Sequence, residues 1–252
     1  MLMYEGAFRR PRIKTNLILK RYAHLFSGAV INVSGSNDSD KHSSMRDYYF
    51  GDFDSGERYK DYFSSASSYL VSNYPGDETE NNLPPNEQVM IDLEEELSEE
   101  LVGQFDVVFN HTVLEHVFDV FRAFENLCLL SKDIVILVVP QAQKIHDYGR
   151  GYADYWRLTP FSVERLFERH GFTVLHREAT SGFSESIYLF YIATKNPDKW
   201  HAQFDPPPPS VVRFLSPSND GSKMTLFSFW WVKADHLLRR FFSIFRRKFK
   251  IT

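Results

Sequence analysis

The sequence predicts an α/β fold built on an open, mostly parallel sheet, and three observations support this prediction. Apolar segments of strand length alternate with amphipathic helical segments along the chain. Residues 134–139 are apolar without interruption, which is typical of a central parallel strand covered on both faces. The last two predicted strands follow each other without a helix between them. Together these patterns predict a Rossmann-like, doubly wound sheet with helices on both faces and an antiparallel final strand.

The individual elements follow from apolar periodicity and from the residues that end each segment. Thr159, Pro160 and Gly171 bound one helix, because threonine caps a helix, proline suits its first turn and glycine suits its end. In chain order, we expect a helix at 16–26, strands within 28–40, 67–77, 87–93 and 104–110, a helix at 112–130, a strand at 133–140, a helix at 160–171, and strands at 172–180 and 186–195.

Four regions are expected along the chain. Residues 1–27 form a basic segment and a helix, and residues 28–196 form the main α/β domain. Residues 197–232 form a Pro-rich linker with an irregular segment, and residues 233–252 form a basic amphipathic helix. This last region carries seven basic residues against one acid, Asp235. Its pattern favours contact with an anionic membrane surface, with packing against protein as the alternative.

The composition argues against several classes of protein. A net charge of −4, and arginines that alternate with phenylalanines in the basic helix, argue against a nucleic-acid partner. The single cysteine, Cys128, excludes an internal disulfide and favours a reducing, cytoplasmic location. No signal peptide or membrane span is expected, since Lys20 and Arg21 interrupt the apolar stretch near the start. We therefore expect a cytoplasmic protein, peripheral on the inner face of the membrane where the basic helix binds lipid.

Polar residues follow the carboxyl end of each of the first five strands. In an open parallel sheet, ligands bind outside these strand ends. The residues expected to line this rim are Ser34–Asp40, Ser72–Asn73, Asp92–Leu93, Asn110–Thr112 and Gln141–Asp147. The sequence therefore predicts one ligand site along this edge of the sheet.

His111, Glu115 and His116 raise the question of a metal site at the end of the fourth strand. On the predicted helix, residues 111 and 115 share a face, but residue 116 is rotated by about 100°. The spacing also differs from the H-E-x-x-H pattern of zinc enzymes, so no metal is expected. Glu115 and His116 are expected to shape the rim. His111 is either a rim residue or a satisfied core histidine.

Two segments together resemble the class I S-adenosylmethionine-dependent methyltransferases. They are Phe105–Pro140, which contains LEHV, and Asp154–Leu175, which begins with DYWRLTP. The resemblance covers roughly residues 28–195 and is strongest to the methyltransferase type 11/23-like branch associated with polysaccharide biosynthesis. It implies S-adenosylmethionine as the cofactor. By position it implies a cofactor-binding set of Ser34, Gly35, Ser36, Asn37, Asn73, Asp92, Leu93, Asn110 and His111.

The resemblance also implies roles for single residues. Gly35 would allow close approach in the loop after the first strand, and Asn73 would bind the ribose in place of the usual acid. Asp92 would accept a hydrogen bond from the adenine amine. Because this loop has one glycine where the family has two or three, a fold without cofactor binding is the alternative. A dinucleotide-dependent oxidoreductase is disfavoured, since no G-x-G-x-x-G follows the first strand.

The long polar and aromatic loop at 141–158 is expected to bind the acceptor. Methyl transfer to a hydroxyl group needs a base near the acceptor oxygen, and His146 is the candidate for that base. The candidate substrate-binding residues are Asp147, Asp154, Tyr155 and Arg157. A purely structural role for the loop aromatics is the alternative. The resemblance implies O-methylation of a glycan or lipid-linked saccharide, with a non-catalytic scaffold in a membrane-associated glycan assembly as the second hypothesis.

Overall fold

A computed structural model of the chain describes residues 2–40, 57–75, 83–143, 145, 153–180 and 187–205, with side chains from residue 11 onward. The chain divides into two compact units, Met1–Pro208 and Pro209–Thr252, and every described residue belongs to the first unit. The Pro-rich segment from residue 206 and the basic region 233–252 lie outside the described residues. The expected membrane contact of that region stays a prediction.

The described helices and strands alternate as the sequence predicts. The helices are α1 (Leu2–Ala23), α2 (Tyr59–Tyr62), α3 (Val120–Leu130), α4 (Pro160–Arg169) and α5 (Pro197–Trp200). The strands are β1 (Gly28–Val33), β2 (Ala66–Asn73), β3 (Gln88–Met90), β4 (Phe105–His111), β5 (Ser131–Ala142), β6 (Thr173–Ala179) and β7 (Ile187–Thr194). Short 3-10 turns occupy Pro85–Glu87, Glu99–Leu101 and Leu114–His116.

The strands form one seven-stranded sheet in the order β3-β2-β1-β4-β5-β7-β6. Strands β1 to β5 pair in parallel, whereas β7 is antiparallel to both β5 and β6. The predicted doubly wound, mostly parallel sheet with an antiparallel final strand is therefore confirmed. The strand order reverses direction between β1 and β4, which makes this pair the topological switch point of the sheet.

Helices cover both faces of the sheet. On one face, residues such as Leu19 of α1 and Tyr59 of α2 pack with Phe109 of β4 in a single apolar cluster. On the other face, Phe124 of α3 and Phe167 of α4 meet edge to face, with ring centroids 5.0 Å apart. Burial of side chains of this size stabilises the fold by about 1.5–3 kcal/mol each. The central strands are apolar on both sides for this reason.

The helix after β4 begins later than the sequence predicts. Residues 112–119 were predicted to be helical, but α3 begins at Val120, and the side chain of Asp119 caps it by accepting from the Arg122 N–H at 3.0 Å. Part of the segment that was predicted to be helical forms a 3-10 turn instead, at Leu114–His116. Thr112, between β4 and this turn, has a left-handed backbone conformation with φ 53°, which an α-helix does not contain. The start of α3 is therefore set by the aspartate cap and not by the apolar periodicity of the sequence.

The N-terminal helix begins earlier than predicted, at Leu2 rather than at residue 16. Its inward face carries the buried polar residues Thr15 and Asn16, so apolar periodicity is weak there. Those polar groups bond to other elements instead: Thr15 to His111, and Asn16 to Tyr59. Helix α1 is therefore part of the wall of the site described below.

Residues 197–205, which the sequence grouped with the linker, lie against the sheet. Trp200 and Phe204 are buried in the same apolar cluster as α1. The Trp200 indole N–H and the Lys199 ammonium both donate to Asp133 Oδ2, at 3.1 and 2.8 Å. Among the described helices, none combines the length and apolar character needed to cross a bilayer.

Candidate functional site at the carboxyl edge of the sheet

The switch point between β1 and β4 is bridged by one buried amide. Asn110 is fully buried near the end of β4, and its Nδ2 donates to the carbonyl of Val33, the last residue of β1, at 3.2 Å. Asn110 Oδ1 has no hydrogen-bond partner among the described residues. An unpaired buried acceptor costs roughly 1–3 kcal/mol, so its presence at a predicted ligand crevice indicates a position for a donor.

The loop after β1 adopts left-handed geometry without glycine. Ser34, Ser36 and Asp38 have φ values of 55°, 49° and 52°. For residues with a Cβ this conformation costs about 1–2 kcal/mol each, and such strain clusters at functional sites. Gly35 is the residue between the two serines, and its lack of a Cβ serves packing: a Cβ there would lie 2.5 Å from Asn32 Nδ2.

A buried carboxylate holds the far end of this loop. Asp38 accepts from Tyr69 Oη at 2.6 Å, Asn32 Nδ2 at 2.8 Å and Arg58 Nε at 3.2 Å. The backbone N–H of Lys60 adds a fourth bond at 3.3 Å. Burial raises the pKa of Asp38, against the opposing effect of these donors. The loop is therefore fixed by the protein itself.

The near end of the loop is held by β2. The N–H of Ser34 donates to Ser72 Oγ at 2.9 Å, and the N–H of Gly35 donates to the Ser72 carbonyl at 3.1 Å. Ser36 is half-buried and Asn37 is exposed. The structure thus places the four predicted cofactor-binding residues of this loop beside β2, with Asn37 exposed.

The ends of β2 and β3 present the next predicted residues. Asn73 is buried, and its Nδ2 donates to Gln88 Oε1 at 3.2 Å. Asp92 is half-buried and accepts from the Glu94 N–H at 2.9 Å. The side chain of Leu93 is buried. Asn73, Asp92 and Leu93 therefore follow neighbouring strands at the same edge as the loop after β1.

His111 belongs to a polar cluster that the sequence did not predict. Its Nε2 lies 3.0 Å from Thr15 Oγ1, and its Nδ1 lies 3.1 Å from Thr112 Oγ1. Arg12 of α1 donates to Thr112 Oγ1 at 2.8 Å and to Tyr59 Oη at 3.4 Å. The available signal was the group of polar residues Arg12, Lys14, Thr15 and Asn16 directly before the apolar stretch 17–19. His111 is both buried and part of the rim.

Glu115 lies beside this cluster, in the turn after β4. Its side chain is 3% exposed, and Oε2 has no hydrogen-bond partner among the described residues. Burial raises the pKa of Glu115 to about 8; the charge of Asp154 adds to the rise, whereas Arg157 and Arg12 oppose it. Glu115, which was expected to shape the rim, therefore has a carboxyl group that is largely protonated at neutral pH. The described residues contain no group of three metal-ligating side chains.

The loop at 153–158 is tied to this turn. The N–H of Tyr155 donates to the Glu115 carbonyl at 2.7 Å. Asp154 is ion-paired with Arg157, and its Oδ1 lies 3.2 Å from His116 Nδ1. Asp154 and Arg157 therefore bind each other and fix the loop. The ring of Tyr155 is 48% exposed and meets the ring of Phe118 edge to face. His146 and Asp147, the predicted base and its neighbour, lie outside the described residues.

Neither a protein-family model nor a curated protein matches this sequence. Several solved structures are similar to it. One is the 1,6-didemethyltoxoflavin-N1-methyltransferase of Burkholderia thailandensis, with 15% identity, coverage of 73% of this chain and 78% of that chain, and a TM-score of 0.45. The magnesium protoporphyrin IX methyltransferase of Synechocystis has 15% identity, coverage of 74% and 79%, and a TM-score of 0.44.

A third similar structure is an S-adenosylmethionine-dependent methyltransferase of Mesorhizobium loti. It has 12% identity, coverage of 66% of this chain and 90% of that chain, and a TM-score of 0.45. The solved structures named here are thus all methyltransferases.

Proposed function

We propose that this protein is an S-adenosylmethionine-dependent methyltransferase that acts on an oxygen of a glycan or lipid-linked saccharide. The observation that carries the proposal is the switch point between β1 and β4, where Asn37 of the loop 34–37 is exposed and Asn110 has a buried acceptor without a partner among the described residues. Ligands of open α/β sheets bind at such a point. The resemblance of residues 105–140 and 154–175 to class I methyltransferases supports the choice of cofactor.

The residues at this edge fit S-adenosylmethionine. Asn110 Oδ1 is an acceptor that suits the ammonium group of the cofactor's amino-acid end. Asn73 would bind the ribose hydroxyls, Asp92 would accept from the adenine amine, and the Leu93 N–H would donate to the adenine ring. The loop 34–37 would lie under the amino-acid end, and its internal bonds hold the backbone ready before binding.

The cofactor supplies an electrophilic methyl group on its sulfonium when it is bound. The task of the chain is then to place the acceptor oxygen in line with that methyl group and to accept its proton. His111 is held from both ring nitrogens by Thr15 and Thr112, which suits positioning rather than free movement. His146 stays the predicted base.

The exposed aromatic rings above the edge support a saccharide acceptor. Tyr155 and Phe118 are 48% and 67% exposed, and their ring centroids lie 5.4 Å apart. Such a pair offers an apolar surface to the carbon-bound hydrogens of a sugar ring. Because Asp154 is bound to Arg157, these two residues support the loop, while Tyr155 is the group of this loop available to a substrate.

The proposal is tested by calorimetric titration of the protein with S-adenosylhomocysteine. We expect saturable binding, and we expect Asp92→Ala to weaken it by about tenfold or more, because a hydrogen bond to a charged group is worth roughly 1.5–3 kcal/mol. Asp198→Ala is the matched control, since Asp198 is fully exposed in α5. Absence of binding by the wild-type protein at high micromolar ligand would reject the enzyme and favour the non-catalytic scaffold.

A further inference from the structure

Among the described residues, the hydrogen-bond partners of the Arg12 cation are neutral. Its guanidinium donates to the hydroxyl groups of Thr112 and Tyr59. No carboxylate of the described residues lies within ion-pair distance of it. Other arginines of the fold differ: Arg58 pairs with Asp38 and Glu87, and Arg177 pairs with Glu164 at 2.8 Å.

The surroundings keep Arg12 charged. Burial disfavours its charge, but the phenol groups of Tyr59 and Tyr188, together with the hydrogen bond to Tyr59, outweigh that effect and raise the pKa of Arg12 above its ordinary value. A cation removed from water without a counter-charge is costly, and the cost falls when an anion binds. Within the described part of the chain, two hydroxyl groups occupy only part of the five N–H donors of this guanidinium, which leaves donors for an anion.

The neighbouring carboxyl group does not neutralise Arg12 at neutral pH. The pKa of Glu115 is raised to about 8, so near pH 7 the group is mostly a neutral acid. In that form it carries a proton that can be donated, and its Oε2 has no partner among the described residues. Thr112, which orients Arg12, is a β-branched residue with φ 53°, a strained conformation that is found where function requires it.

The position of Arg12 points to the acceptor rather than to the cofactor. Its contacts and charge neighbours include Thr112, which follows β4, and Tyr188 of β7, which pairs with Pro140 of β5. These strands form the half of the sheet opposite to β2 and β3, whose ends carry Asn73 and Asp92. An anion beside β5 and β7 lies past the proposed cofactor residues, which end at β4, and we therefore assign it to the second substrate.

We propose that Arg12, oriented by Thr112 and Tyr59 and flanked by the carboxyl group of Glu115, binds an anionic group, a carboxylate or a phosphate, on the acceptor. The acceptor class that follows is an acidic or phosphorylated saccharide. This inference rests on the proposed methyltransferase function. It adds Arg12 to the site as a substrate-binding residue.

The experiment uses inorganic phosphate as the probe and the thermal unfolding midpoint as the readout. Phosphate replaces chloride at constant ionic strength, up to about 20 mM at pH 7, in the wild-type protein and in Arg12→Gln. Arg177→Gln is the matched control, because it removes a partly buried arginine that already has a carboxylate partner. We expect the midpoint to rise with phosphate in the wild-type protein and in the control, and not in Arg12→Gln.

Two further arms keep the test decisive. Arg12→Lys keeps the buried charge and serves where Arg12→Gln does not fold; we expect it to weaken phosphate binding several-fold, since an ammonium lacks the planar guanidinium fork. An equal response in wild type and Arg12 variants, or no response in the wild type, overturns the proposal.

Titration of the same variants with S-adenosylhomocysteine decides whether Arg12 binds an anionic group of the acceptor or the carboxylate of the cofactor. We expect Arg12→Gln to bind it within about twofold of the wild-type affinity, and a loss of tenfold or more would assign Arg12 to the cofactor carboxylate and overturn the acceptor assignment. Failure of the wild-type protein to bind S-adenosylhomocysteine rejects the methyltransferase and with it the acceptor assignment. The phosphate result then still decides separately whether Arg12 is an anion site.

Discussion

The two halves of the carboxyl edge differ in how their buried polar groups are satisfied. On the β1–β2 side, Asp38 accepts four hydrogen bonds from the protein itself. On the β4 side, and within the described residues, Arg12 bonds to neutral hydroxyl groups, and Asn110 and Glu115 each bury an oxygen without a hydrogen-bond partner. The first half is thus finished in that Asp38 is satisfied by the protein itself, whereas the second half is unfinished, and we propose that a ligand supplies its missing groups.

The largest effect is expected from breaking the finished half. Asp38→Asn removes the charge that Arg58 and the Tyr69 hydroxyl bond to, and leaves buried donors poorly paired. We expect a loss of about 3–5 kcal/mol in the free energy of unfolding, as for other buried ion pairs that lose one partner. Urea unfolding measures it. Asp198→Asn, at an exposed ion pair, should change stability by less than about 0.5 kcal/mol; similar losses in both variants would contradict this assignment.

The next effect tests the unfinished half through its pH dependence. Burial raises the pKa of Glu115 from 4.5 to about 8, so the folded state opposes ionisation between these values. Relative to Glu115→Gln, the wild-type protein should be fully stable below about pH 4.5 and should lose stability as the pH rises to about 8. We expect the variant to gain about 4 kcal/mol over wild type between pH 5 and pH 9.

Urea unfolding of both proteins at these two pH values checks the sign. The charged groups that face Glu115 are Asp154, which raises its pKa, and Arg157 and Arg12, which lower it. Because all three are present in both proteins, the difference between wild type and Glu115→Gln reports on the Glu115 carboxyl group. Parallel stability curves for wild type and variant would show that Glu115 is ionised throughout this range.

The smallest effect concerns the strained loop after β1. Ser36→Gly relieves a left-handed backbone and should raise the stability by about 0.5–1 kcal/mol, after the added entropy of glycine in the unfolded chain. Gly35→Ala should instead lower it by about 1 kcal/mol or more, because the new Cβ meets Asn32 and Val71.

Thermal unfolding of both variants measures these changes. Ser98→Gly is the control, since Ser98 has a φ of −58° and offers no strain to relieve. A stability gain at Ser98 equal to that at Ser36 would mean that left-handed strain is not the cause.

Much of the fold follows from the sequence alone. Apolar runs such as 134–139, and polar residues directly after each strand, correctly predicted the doubly wound sheet and the edge at which polar residues collect. These signals are local: a buried parallel strand must be apolar on both faces, and its end must become polar where the chain leaves the core. The helix at 112–130 was predicted to start too early because periodicity does not register the cap at Asp119.

The site was predicted only in part. Asn73, Asp92 and Asn110 could be predicted because each lies at or just after the end of a predicted strand. Arg12, in contrast, lies 100 positions from Thr112, its hydrogen-bond partner. No local rule links two such positions, and a helix with Thr15 and Asn16 on its inward face has weak apolar periodicity.

By itself, the sequence determined the strands, their parallel arrangement and the polar character of one edge, since these depend on residues close together in the chain. Only the tertiary structure decided which polar groups at that edge find partners. Within the described residues it gave Asp38 four donors, left Arg12 without a carboxylate partner, and left one oxygen each of Glu115 and Asn110 without a hydrogen bond. Whether a buried charge or oxygen is satisfied depends on contacts between distant elements, and that difference marks where a ligand is expected to bind.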